Sequence, residues 1–90
     1  MLALPAQLTL HTAQAVLDSL SPAIAAETAE VITIDAQALT QIDSSTLAVL
    51  LECRRLAQAR QRGFAVHQAP DRLLQLAKLY GVQELLAMAD

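Results

Sequence analysis

Ninety residues leave room for one domain with one hydrophobic core and no second. A net charge of −3 argues against nucleic acid as a partner, and the single cysteine, Cys53, excludes an internal disulfide and suits a reducing compartment. The N-terminus has no basic signal region and no apolar run approaches the roughly 18–20 residues of a membrane span, so the chain is expected to be cytoplasmic and soluble, with no direct membrane span.

At 54% hydrophobic, with a mean hydropathy of +0.39, a chain this small has more apolar surface than it can hide, and part of it is expected to meet a partner. Phe64 and Tyr80 are the only aromatic residues, and the abundance of Leu and Ala favours helices packed on a sheet. Charge is unevenly placed: residues 1–51 carry five acids and no Lys or Arg, whereas residues 52–90 carry all six basic residues.

Met1 to Leu4 reads as a clipped edge strand ended by Pro5, and Gln7 to Leu10 as a connector or second strand fragment. A helix is predicted from about Thr12, where Ala13, Val16, Leu17 and Leu20 recur at helical spacing. Ser21-Pro22 is expected to kink or restart it, with a second piece reaching Ala26 or Ala29. Val31 to Asp35 is the best strand, β-branched and near-continuously apolar, as a central, doubly covered strand should be. Residues 36–42 read as a loop anchored by Leu39 and Ile42. The main helix is predicted over about 44–62, closed by Gly63. A second strand over 64–68 follows, then a helix opened by Pro70 and Asp71 and ended by Gly81, then a short terminal helix over 82–88. Alternating strands and helices imply an α/β domain over 1–90 with a mostly parallel sheet.

The stretch from Ile42 to Leu51 organises the rest. Asp43, Ser44 or Ser45 can each cap the helix, since a short side-chain oxygen accepts the orphan N–H groups of its first turn. Leu47 to Leu51 is apolar on every side, more than one core-facing stripe uses, so at least one of Leu47, Ala48 or Val49 is expected to stay accessible beside the serines. Asp43, Ser44, Ser45, Thr46, Leu47 and Ala48 are therefore the candidate partner-binding residues.

Catalysis finds little support. Asp35 and Asp43 could pair for acid–base or metal chemistry, but no His or Cys stands at ligand spacing with them. The hydroxyls of Ser44, Ser45 and Thr46 lack a histidine base in any recognisable motif, and the pattern G-x-S-x-G is absent. Gly63 and Gly81 form no phosphate-binding loop. Cys53 reads as a buried thiol and His67 as a packed or rim histidine. Arg54, Arg55 and Arg62 read as one solvated helical face or a rim for an acidic partner or membrane surface, with Arg60 pointing away. No catalytic residue, cofactor or metal is expected.

Val31-Ile32-Thr33-Ile34-Asp35, a loop, then Ile42-Asp43-Ser44-Ser45 and an apolar helix resembles the STAS domain, the fold of anti-sigma factor antagonists and sulfate-transporter tails. Leu4-Pro5-Ala6-Gln7-Leu8-Thr9 is similar to that family's early strand and turn. Leu76-Ala77-Lys78-Leu79-Tyr80-Gly81-Val82 is similar to the tail of its MlaB branch, the small subunit of a bacterial phospholipid-transport ABC system. The resemblance implies a non-catalytic STAS-like domain, its N-terminal strand shortened. It would bind an MlaF-like ABC transporter ATPase subunit and lie peripheral to the inner membrane through that complex. It also implies an alternative, an anti-sigma factor antagonist that meets an anti-sigma factor or serine kinase, with Ser44 as candidate phosphoacceptor. Thr46 stands where the family usually has glycine, a departure that bears on the kinase reading and leaves the ATPase reading largely intact.

Overall fold

The computed structural model describes residues 1–88. Its centre is β3 (Val31–Asp35), flanked by β1 (Leu2–Ala3) and β5 (Gly63–His67) in a three-stranded parallel sheet ordered β1-β3-β5. The register sets Leu2 opposite Ile34, Ile34 opposite Val66, and Ile32 opposite Phe64, which puts the large apolar side chains on one face. Strands 31–35 and 63–67 are thus adjacent and parallel, as the sequence predicts.

The double coverage expected of β3 is not found. Ile32 and Ile34 are buried, Thr33 and Asp35 are half-buried and Val31 is exposed, so burial alternates along the strand. Position 33 is a threonine and position 35 an aspartate, and a period of two sends both to the less covered face with Val31.

A second, two-stranded parallel sheet joins β2 (Gln7–Leu8) to β4 (Gln41–Ile42). Of the two readings of residues 7–10 the strand fragment is found, and part of the predicted 36–42 loop becomes a strand as well. Leu39 is buried as an anchor and Ile42 half-buried.

Helix α1 (Ala13–Ala26) continues through Pro22, without the restart that was one of the two expectations there. The carbonyl that a proline at this position leaves without its ladder partner belongs to Asp18, an exposed residue, where water can serve it. Leu20 and Ile24 carry the helix into the core. Helix α2 (Ser44–Ala59) packs against α1 and β5 and stops earlier than predicted. Arg60 is its C-terminal cap and Gln61, not Gly63, takes the left-handed conformation, with φ of 59°. Gly63 instead opens β5, where a Cβ would come within 3.2 Å of the Val31 side chain.

Helix α3 (Asp71–Leu79) has Pro70 at its N-cap and Asp71 in its first turn. It ends as predicted: Gly81 has φ of 71°, the Val82 N–H donates to the Ala77 carbonyl and the Gly81 N–H to that of Lys78. The predicted terminal helix over 82–88 is absent. Residues 83–87 form turns, Ala87 takes a φ of 50°, and Met88 bridges Val66 in parallel. Leu86 and Met88 are both buried, a spacing of two that one face of a helix does not supply. One core cluster collects these residues with Leu8, Ile32, Ile34, Leu50, Cys53 and Leu73. Among the described residues no helix is long and apolar enough to cross a membrane.

Candidate partner-docking site

Three segments converge on the start of α2. Asp43 is the cap: its Oδ1 accepts the Ser45 N–H at 2.8 Å, while its own N–H donates to the Thr46 Oγ1 at 3.2 Å. The same carboxylate reaches out of the helix, Oδ2 accepting the Leu10 N–H at 3.0 Å. Thr46 is fully buried, and its hydroxyl donates to the Leu8 carbonyl at 2.5 Å. One aspartate and one threonine therefore fasten the helix start to β2 and to the turn that follows it. These bonds hold the Asp43 carboxyl below the ordinary aspartate value. The Leu10 N–H is the main cause, followed by the Ser45 N–H and hydroxyl and by nearby His11.

The six candidate residues divide by this geometry. Ser44 and Ala48 are exposed, and Ser45 and Asp43 half-buried. Thr46 and Leu47 are buried, so neither can touch a partner on the folded surface; both are corrected to positioning residues beneath it. The apolar excess at 47–51 is smaller than expected. Helix α1 and the sheet cover Leu47 and Val49 to 4% and 3% exposure, Leu50 is buried and Leu51 half-buried. Ala48 alone of Leu47, Ala48 and Val49 stays accessible. It lines a shallow depression with Ser45, Val49 and, from α1, Ala13, Gln14 and Leu17. On the other side of Asp43, a second depression is lined by Ile42 with Arg72, Gln75, Leu76 and Leu79 of α3.

The remaining candidates are not drawn together. Asp35 accepts the Gln37 N–H at 2.9 Å within its own turn. Among the described residues no group of three or more His, Cys, Asp or Glu could hold a metal ion. Cys53 is buried on α2, and burial, with Glu52 beside it, pushes its thiol up to about 11. His67 is exposed. The basic face does not form as read: Arg55 is bound to Glu52. Arg62 lies beyond the helix, donating to the carbonyls of Thr28 at 3.0 Å and Ala29 at 2.8 Å. A groove of about 700 Å³ runs between residues 3–7 and α1, and no titratable side chain lines it.

Sequence reasoning missed Leu10 and the β2 contribution. The signal available was a leucine at a turn between polar residues, Thr9 and His11, where no core position is needed.

A parallel sheet with a capped helix leaving an aspartate–serine turn beyond its central strand defines a STAS-type domain. The chain matches the family described as "Mlab, STAS domain" over residues 1–87, and it belongs to that family. Domains of this family are generally non-catalytic. No curated protein matches the chain.

Proposed function

We propose that this chain is a non-catalytic accessory subunit of a phospholipid-transport ABC complex. It binds the cytoplasmic ATPase subunit with the start of α2 and is held at the inner membrane through that subunit. The observation that carries the reading is the accessible Ala48 beside Ser44 and Ser45, on a helix start whose every deeper residue is fixed. A small apolar spot rimmed by hydroxyls suits the centre of a moderately polar interface. Membership of the MlaB-type family supports the choice of partner.

Co-purification with the ATPase subunit tests it. Ser45→Glu and Ala48→Glu are expected to fold by circular dichroism and to lose the complex. Folded variants that co-purify as well as wild type would move the interface off this helix start.

One observation favours a second reading, an anti-sigma factor antagonist phosphorylated at Ser44: of the three consecutive hydroxyl residues, Ser44 alone is exposed. Against it, the phosphate would sit next in the chain to a carboxylate already engaged with the first turn. Mass spectrometry of the native protein separates the two, since only the switch requires phosphoserine at 44.

A further inference from the structure

A stable protein interface buries roughly 800 Å² on each partner, about a sixth of this molecule's 5175 Å². Ser44, Ser45 and Ala48 are too few and too small to supply that area, so the proposed docking site needs more surface than the helix start offers. The two most exposed leucines of the described residues flank it. Leu10, 72% exposed, follows β2 and has its N–H on the Asp43 carboxylate. Leu79, 79% exposed, lines the depression that Asp43 shares with α3. At about 100° per residue Arg72, Gln75, Leu76 and Leu79 share one stripe of α3. Arg72 is exposed and makes no ion pair among the described residues.

Building on the proposed function, we infer that the docking surface extends to Leu10 on one flank and Leu79 on the other, with Asp43 as the positioning residue that fixes Leu10. The partner face it fits is an apolar protein surface that carries a carboxylate opposite Arg72. Arginine is among the side chains that dominate protein interfaces when water is excluded around them, and the two leucines supply the apolar area that excludes it. An anionic lipid surface fits poorly, because such surfaces are held by clusters of about 4–8 cations. Here one arginine stands beside the anionic Asp43.

The aspartate's role follows from its two oxygens, which serve different segments: Oδ1 caps α2 and Oδ2 holds the Leu10 turn. Asparagine keeps a capping oxygen but presents an NH₂ group to the Leu10 N–H, so Asp43→Asn releases the turn and retains the cap.

The test is calorimetric titration of the full chain and its variants with the purified cognate ATPase subunit, each variant checked by circular dichroism. Leu10→Ser and Leu79→Ser, at surface positions that leave the core intact, are each expected to weaken binding about tenfold or more. Arg72→Glu is expected to weaken it comparably and Arg72→Lys much less. Asp43→Asn is expected to match Leu10→Ser, and the Asp43→Asn, Leu10→Ser double variant to bind no worse than either alone. A purely structural aspartate would give additive losses instead. Leucine variants that bind within about twofold of wild type, while Ala48→Glu does not bind, would overturn this inference and leave the proposed function standing. A wild-type chain that fails to bind the ATPase overturns the proposed function and this extension with it. Light scattering covers the remaining occupant: a wild-type dimer that either leucine variant dissolves would make the partner a second copy and overturn the inference.

Discussion

The two ends of α2 are finished in different ways. At its start, two side chains from within the helix and its cap, Thr46 and Asp43, bond to the backbone at Leu8 and Leu10, far back in the sequence. At its far end the helix stops at Ala59, and a side chain from outside it, Arg62, reaches the carbonyls of Thr28 and Ala29. Both ends are tied to the first third of the chain, but only the start has a buried tie: the Thr46 bond is buried, whereas those of Asp43 and Arg62 are exposed. Buried ties fix a surface and leave only small groups outside. Exposed ties hold a loop without enclosing the bonds that hold it. The difference explains why the start of the helix is fixed from beneath and its end is not.

Leu50, fully buried between the two ends, sets the scale. Leu50→Ala should cost about 2–4 kcal/mol in urea unfolding, the transfer and cavity cost of a core leucine. Thr46→Val should cost about 1–3 kcal/mol, because it strands the Leu8 carbonyl and the Asp43 N–H without a partner, and Thr46→Ser should recover most of that. At the other end Arg62→Met should cost less, about 1 kcal/mol, and leave partner binding unchanged. A Thr46→Val loss no larger than that of Arg62→Met would erase the distinction between the ends.

Acid sharpens the comparison further. The Asp43 carboxyl is held below its ordinary value of 3.8, so it contributes stability that is complete above that value and lost as pH falls through the lower folded-state value. Asp43→Asn should flatten this acid limb in thermal melts below about pH 4, whereas Arg62→Met should leave the limb in place. The smallest effect belongs to Ser44→Ala, expected within about 0.5 kcal/mol of wild type, because Asp43 and not Ser44 caps the helix. A large loss would make Ser44 structural and remove the support for its functional role.

Much of the fold was legible. Val31 to Asp35 and residues 64–68 read as strands from β-branched and apolar content, and Gly81 as a terminator because a left-handed residue was needed there. Pro22 misled, because a proline's missing donor costs little when the freed carbonyl faces water. Gly63 misled in the opposite way: it reads as a helix stop, but it opens a strand, where a Cβ would press the Val31 side chain across the sheet, a contact no local pattern records. The site divided likewise. The Asp43 cap is a local signal and was one of three candidates read. The burial of Thr46 and the place of Leu10 depend on partners more than thirty residues away and were out of reach.

Every strand pair among the described named strands is parallel, and each joins positions 32 or 34 apart: Leu2 with Ile34, Gln7 with Gln41, Val31 with Gly63. None of them is a hairpin, so no strand pair can close early as a local nucleus. Loop-closure entropy must be met in full before any pairing returns free energy, which places this chain among the slower folders for its length. During synthesis the order is fixed as well. β1 waits for β3, β3 waits for β5, and the bridge from Val66 to Met88 waits for a residue later still. Until β5 arrives, the edge of β3 that it covers stands open to other chains.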